Sequence, residues 1–239
     1  GRGAGRYREV PSRPMTEGVA ALTPGSPAAP EWLNRLVVAV HEADPASVSP
    51  MPAEGVEGLR RAAVLVLFGE GVSGPDVLLL QRSDDLRHHA GQPAFPGGGI
   101  DPTDDGPIAA ALREAAEETG ADAAGIDVLT TMPQLWLPPS GNLVTPVIAW
   151  WREPSDVGPV DAVEVAAVSR VALDDLADPA NRVMVKHRLG YASPGFRVAG
   201  MLVWGFTAGI LDRLLRLGGW EQAWDKDVVL PMPVPARRD

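Results

Sequence analysis

An apolar stripe at helical spacing opens the patterned part of the chain. Pro30 precedes the stripe and Glu31 lies in its first turn, so the pattern predicts a helix over residues 31–43. A second stripe predicts a core helix over residues 204–217. The first stripe is formed by Trp32, Leu33, Leu36, Val37 and Val40, and the second by Ile210, Leu211, Leu214 and Leu215.

Short apolar runs between these two helices have the length and the flanking turns of strands. The runs 62–68 and 77–80 are separated by a turn-rich segment, and further runs cover residues 144–151 and 164–173. The pattern therefore predicts a fold that mixes helices and strands.

A third helix is predicted over residues 107–120. Pro107 suits a first helical position and Gly120 suits a C-terminal cap, so the helix is bracketed by its own sequence. A helical wheel predicts that one side packs and that the opposite side presents three carboxylates. The packing side holds Ile108, Leu112, Ala115 and Thr119, and the opposite side holds Glu114, Glu117 and Glu118.

The three carboxylates indicate either a solvated helix face or a metal site. Glu114 and Glu118 are like charges four residues apart, a pairing that costs about a few tenths of a kcal/mol, and Arg113 is the helix's single basic residue. A divalent cation would relieve this repulsion, because hard ions such as Mg²⁺ bind carboxylate and carbonyl oxygens. The glycine run 97–99 just before the helix lets the backbone approach a ligand closely.

Residues 99–121 resemble the Nudix box. That pattern is a glycine, five residues, a glutamate, seven residues, and then Arg-Glu-apolar-any-Glu-Glu-any-Gly-apolar. Asp105 stands where the box has its first glutamate. The salt link that the box implies between this position and Arg113 would therefore be made by a shorter side chain. The matching residues are Gly99, Arg113, Glu114, Ala115, Glu117, Glu118, Gly120 and Ala121.

An overlapping stretch is similar to the signature of the coenzyme A pyrophosphatase branch of the same family. Its core reads Arg-Ser, three residues, Arg, three residues, Gly, three residues, Phe-Pro-Gly-Gly. Segments 139–141, 144–147 and 204–208 also resemble that branch, so the similarity covers about residues 60–217. The signature positions are Arg82, Ser83, Arg87, Gly91, Phe95, Pro96, Gly97 and Gly98.

The resemblance implies an α/β protein with the Nudix fold, an α/β/α sandwich around a mixed sheet. It implies metal-dependent hydrolysis, with Mg²⁺ or Mn²⁺ as cofactor. For the branch it implies cleavage of coenzyme A to 4'-phosphopantetheine and 3',5'-ADP, with Arg82 and Arg87 binding the 3'-phosphorylated ADP part.

The resemblance also implies roles for individual residues. The implied metal ligands are the carbonyl of Gly98 and the carboxylates of Glu114, Glu117 and Glu118. The implied catalytic residues are Arg113, Glu114, Glu117 and the downstream Glu164, and the implied substrate-binding residues are Arg82, Ser83, Arg87, Gly91, Phe95 and Gly97.

Composition narrows the partners and the compartment. The chain has no cysteine, which excludes disulfides, thiol nucleophiles and cysteine-type zinc sites. Its net charge of -10 makes a nucleic-acid polymer a poor partner, because such binding requires a basic surface. No apolar run is long enough for a membrane helix and no signal pattern opens the sequence, so we expect a cytoplasmic protein with no membrane partner. The resemblance implies a small-molecule nucleotide substrate. A monomer and a homodimer both stay open.

The distribution of glycine and proline predicts the domain organisation. Residues 1–30 are expected to be a flexible N-terminal segment, residues 31–222 the Nudix hydrolase domain, and residues 223–239 a loose, proline-rich tail.

Three functions compete at this point. The first is a coenzyme A diphosphatase, and the second is a Nudix hydrolase of another nucleoside diphosphate derivative, such as ADP-ribose or a dinucleoside compound. The third is a ligand-binding module that keeps the fold without turnover. The complete set of Glu114, Glu117 and Glu118 favours the two hydrolases.

Overall fold

The computed structural model describes residues 28–44, 59–84, 90–137 and 141–233. Nearly all of the expected flexible N-terminal segment lies outside these residues. Helix α1, Glu31–Glu42, confirms the first predicted helix and ends where Ala43 takes an extended conformation. Its stripe is buried, as predicted, through Leu33, Leu36, Val37 and Val40.

A mixed sheet forms the centre of the described fold. Its eight strands are β1 (Arg60–Gly71), β2 (Gly74–Arg82), β3 (Pro93–Ala94), β4 (Gly97–Gly99), β5 (Ile126–Thr131), β6 (Leu135–Leu137), β7 (Asn142–Trp151) and β8 (Val165–Ala172). The main order is β3-β2-β1-β7-β5, while β4 pairs with β1, β6 with β7 and β8 with β2. The pair β1–β7 is parallel and places Ala63 opposite Thr145, whereas β4 runs antiparallel to β1 and places Gly98 opposite Ala63. All four predicted strand runs are confirmed.

Helices cover both faces of this sheet. The other α-helices among the described residues are α2 (Gly106–Thr119), α3 (Leu173–Ala177) and α4 (Gly205–Leu217). Alternate residues of β1 point to opposite faces, as the two-residue period of a strand requires. Ala63, Leu65 and Leu67 pack with α2, while Val66 and Phe68 share a core with α1 and α4. The α/β/α sandwich with a mixed sheet is therefore confirmed.

A second, smaller sheet lies beyond α3 in the chain. Its strands are β9 (Arg182–Lys186), β10 (Ala192–Val198), β11 (Met201–Val203) and β12 (Val229–Pro231), in the order β11-β10-β9-β12. Strand β12 corrects the expectation of a loose tail from residue 223, because it pairs in parallel with β9. The Cζ atom of Arg182 also lies 4.5 Å from the centroid of the Trp224 ring. Pro231 obscured this strand in the sequence, although an edge position tolerates proline.

No helix in the described part of the chain is long and apolar enough to cross a membrane.

Candidate active site

The helical wheel predicted that α2 presents its three glutamates together on one side. In the structure they do not lie together. Glu118 is 6% exposed and lies on the buried side with Ala111 and Ala115, whereas the side chain of Glu117 is 59% exposed. The reason is that β4 lies against the helix on the side of Glu118. On the side that the wheel assigned as polar, Glu117 therefore faces solvent and Glu118 faces the backbone of β4.

Two groups hold the buried Glu118 carboxylate. The backbone N–H of Gly97 donates to Oε2 at 2.9 Å, and Nη1 of Arg82 lies 3.5 Å from Oε1. Burial nevertheless raises the pKa of Glu118 to about 7, because the loss of solvation outweighs both contacts. Negative charge at this position is only partly balanced by the chain itself.

The glycines of β4 are required by close packing. A Cβ at Gly98 would overlap the carboxylate of Glu114, and a Cβ at Gly97 would overlap the carbonyl oxygen of Ala63. The glycine run therefore brings β4 against β1 and against the Glu114 carboxylate, which is how the site's carboxylates come to lie beside backbone.

Glu114 lies in a mixed environment at the same end of β4. Burial raises its pKa, and the neighbouring Arg113 guanidinium acts in the opposite direction. Nη1 of Arg113 donates to Glu114 Oε1 at 3.1 Å and to Glu117 Oε2 at 2.9 Å. Arg113 thus contacts both carboxylates and can hold Glu114 in one orientation.

The acidic partner of Arg113 is Asp104 rather than Asp105, which corrects the salt link predicted from the box. Nε of Arg113 donates to Asp104 Oδ1 at 3.0 Å, and Nη2 donates to Oδ2 at 2.9 Å. This two-point contact holds the pKa of Asp104 below its usual range. Asp105 precedes the first turn of α2 and its side chain does not cap the helix.

Asp104→Asn should therefore lower kcat more than Asp105→Asn, the matched control one residue away. Removing the charge breaks the two-point contact that orients Arg113 and, through it, Glu114. We expect a loss of about tenfold or more for Asp104→Asn, the usual scale for a residue that supports a metal ligand, and less than about twofold for Asp105→Asn. Steady-state turnover of the two variants checks this, and the reverse order would restore Asp105 as the partner.

The donor atoms fit a divalent cation. Glu114 and Glu118 offer hard oxygen ligands whose charge is only partly compensated, and the Gly98 backbone lies against the Glu114 carboxylate. Glu117 points instead to Arg113, and in the described residues no three acidic or histidine side chains converge on one point. Such a partial set suits Mg²⁺, which commonly uses one or two carboxylates together with substrate phosphates.

The residues implied for substrate binding divide into two groups. Arg82 and Ser83 lie at the end of β2, where the Ser83 N–H donates to the carbonyl of Glu164 at 2.9 Å and the Ser83 carbonyl accepts from Gly91 N–H at 3.3 Å. Gly91 has a positive φ of 68°, and a side chain there would strike Asp84. These residues form one rim beside Glu118.

Phe95 and Gly97 both make contacts within the protein, and their implied roles in substrate binding stay predictions. Phe95 is 2% exposed and packs in the core. Gly97 uses its N–H on Glu118. Arg87 lies outside the described residues. The side chain of Glu164 is exposed, and its charge contributes to the raised pKa of Glu118, so its implied catalytic role stays a prediction.

The raised pKa of Glu118 predicts an unusual pH dependence of stability in metal-free protein. The folded state keeps a proton that the unfolded state loses near the ordinary value of 4.5, so the free energy of unfolding falls as the pH rises from 4.5 to about 7. Most paired carboxylates give the opposite slope. Melting temperatures in chelator should decline more steeply across this window for the wild type than for Glu118→Gln. Equal slopes would show that Glu118 titrates normally.

Comparisons with known proteins identify the family of this chain. A family model for the NUDIX domain matches residues 58–189, more than half of the chain. The uncharacterized Nudix hydrolase NudL of Klebsiella pneumoniae subsp. pneumoniae is 34% identical over 176 residues, which cover 71% of this chain and 88% of that protein. NudL of Cronobacter sakazakii is 40% identical over 169 residues, covering 66% and 83%.

Among solved structures, the Nudix hydrolase RenU of M. smegmatis superposes with a TM-score of 0.49 at 24% identity, covering 70% of this chain and 90% of that one. The family model and the two NudL relatives decide the family. The chain therefore belongs to the Nudix family and is a Nudix pyrophosphohydrolase.

Proposed function

We propose that this enzyme hydrolyses the pyrophosphate bond of coenzyme A or its derivatives, giving 4'-phosphopantetheine or its acyl form and 3',5'-ADP. The observation that carries the proposal is the 3.5 Å approach of Arg82 to Glu118. Arg82 opens the coenzyme A branch signature and Glu118 belongs to the box, so both sequence features belong to a single site.

Residues of the site can offset the negative charge of the substrate, which is the main obstacle to the reaction. A pyrophosphate repels nucleophiles through its negative charge, and the planar guanidinium of Arg82 can bind phosphate oxygens at two points. Gly97 holds Glu118, and Arg113 holds Glu114, in fixed orientations. A bound Mg²⁺ or Mn²⁺, with Glu114, Glu118, the Gly98 carbonyl and a reoriented Glu117 as ligands, would neutralise phosphate charge and acidify a bound water.

We change one part of the substrate hypothesis. Because Arg82 lies beside the metal-binding carboxylate, we assign it to the pyrophosphate and not to the 3'-phosphate of coenzyme A. Arg87 keeps its predicted role at the 3'-phosphate.

Arg82→Ala should consequently lower kcat/KM for coenzyme A and for dephospho-coenzyme A by the same factor. We expect a loss of about tenfold to a hundredfold, equivalent to one charge-assisted hydrogen bond worth about 1.5–3 kcal/mol. Arg35→Ala, which removes an exposed arginine paired with Glu31 on α1, is the control. A loss confined to coenzyme A would return Arg82 to the 3'-phosphate.

Identification of the products tests the proposal. Incubation with coenzyme A and Mg²⁺ should yield 4'-phosphopantetheine and 3',5'-ADP by mass spectrometry. Intact coenzyme A beside complete cleavage of ADP-ribose would favour the alternative, a Nudix hydrolase of another nucleoside diphosphate.

The cytoplasmic location stays a prediction, as does a homodimer.

A further inference from the structure

The turn between β9 and β10 carries a stack of aromatic rings that the catalytic carboxylates do not use. The rings of His187 and Tyr191 are 4.3 Å apart between centroids and within 16° of parallel, and the ring of Trp204 lies 6.0 Å from that of His187. Tyr191 is the outermost ring and is 55% exposed. Since His187 covers one face of Tyr191, the exposed surface leaves the opposite face available for another ring.

Hydrogen bonds fix this turn in advance of any ligand. The N–H of His187 donates to the carbonyl of Tyr191 at 2.8 Å, and the N–H of Gly190 donates to the carbonyl of His187 at 3.0 Å. Gly190 has φ of 91°, which suits glycine and closes the turn. Nε2 of His187 also lies 2.7 Å from Ser193 Oγ. The aromatic stack is therefore ordered, and little conformational entropy would be lost when a ring binds to it.

Contacts connect the stack to the rim of the active site. Trp204 immediately precedes α4, and Thr207 in the first turn of that helix donates its hydroxyl to the carbonyl of Pro93 at 3.3 Å. Pro93 begins β3, and the preceding residue, Gln92, accepts a hydrogen bond from the N–H of Arg82 at 3.0 Å. The start of α4, the start of β3 and the end of β2 thus lie side by side, with the aromatic stack next to Trp204.

The charge around the stack also suits a nucleotide. Lys186 and Arg188 flank His187 and are exposed, in a chain whose net charge is -10. Lys186 is one of only two lysines in the sequence. A planar ring beside exposed cations matches a base that carries phosphate groups.

We propose that the free face of Tyr191 binds the nucleobase of the substrate, with Trp204 and His187 supporting the ring from behind. This inference rests on the proposed function in one respect, that the substrate is a nucleoside diphosphate derivative. It adds a binding subsite on the second sheet, far along the sequence from the box and outside its pattern.

Calorimetric titration with AMP and with inorganic pyrophosphate tests the subsite, because only AMP carries a base. Tyr191→Ala should weaken AMP binding by about fivefold or more, the lower end of the range measured for loss of a base-stacking ring. Its affinity for pyrophosphate should equal that of the wild type. Tyr191→Phe keeps the ring and should restore AMP binding. Leu189→Ala, an exposed residue of the same turn, is the matched control and should bind both ligands as the wild type does.

Two results would overturn the subsite. One is an unchanged AMP affinity in Tyr191→Ala, and the other is an equal loss for AMP and pyrophosphate, which would indicate a general disturbance. Because AMP forms part of both coenzyme A and ADP-ribose, the outcome is separate from the substrate assignment. Cleavage of ADP-ribose in place of coenzyme A would reject the proposed function and leave the test of the base subsite valid.

Discussion

Glu118→Gln is expected to lower kcat by about 10² or more while the protein stays folded, the scale on which a major electrostatic stabiliser is lost. Glutamine keeps the size of the side chain and an oxygen that can accept the Gly97 N–H, and it removes only the charge. Burial already disfavours that charge, as the raised pKa of Glu118 shows. The melting temperature without metal should therefore be no lower than that of the wild type.

Glu31→Gln provides the control for this substitution. Glu31 is an exposed residue paired with Arg35 on α1, so its neutralisation should leave turnover unchanged. Circular dichroism and steady-state kinetics on both variants separate a catalytic effect from a folding effect. If Glu118→Gln kept at least half of wild-type turnover, Glu118 would be a buried polar residue with no role in catalysis.

Removal of divalent cations should abolish activity. Glu114 and Glu118 both carry charge that burial disfavours, so a cation bound between them and the phosphates supplies the missing compensation. Mg²⁺ should also raise the melting temperature of the wild type, because binding to the native state adds about 2.7 kcal/mol when its concentration is 100 times Kd.

Glu118→Gln should lose most of this thermal shift, which ties the metal effect to the site. Activity that was equal in chelator and in millimolar Mg²⁺ would contradict the metal requirement. A thermal shift of the same size in both proteins would place the cation elsewhere.

The sequence predicted those parts of the fold that depend on local periodicity. Three such features are confirmed: the helical stripe that ends at Val40, the cap at Gly120 and the strand run 144–151. Each depends on residues only a few positions apart in the sequence. The box and the branch signature also predicted residues that the structure brings together, since Arg82 lies 3.5 Å from Glu118. Local patterns of this kind carry their own physical cause in capping, turn formation and burial.

Features that depend on distant contacts were missed. A wheel does not show that β4 covers one side of α2, so it could not reveal the burial of Glu118. The contact of Arg113 with Asp104 joins residues nine positions apart, and the box pattern places the acidic partner at position 105 instead. Strand β12 pairs across more than forty residues of chain with β9, and its prolines favoured a loose segment. Even so, two adjacent aspartates before the helix were a signal that either one could serve.

The comparison of kcat/KM for coenzyme A and ADP-ribose, measured with the wild-type enzyme in Mg²⁺, bears most directly on the assignment of this site. Arg82 beside Glu118 joins the branch signature to the box carboxylates, so we expect coenzyme A to be cleaved more efficiently. A higher kcat/KM for ADP-ribose would contradict that expectation and show that the signature is retained around a pocket for a different nucleoside diphosphate.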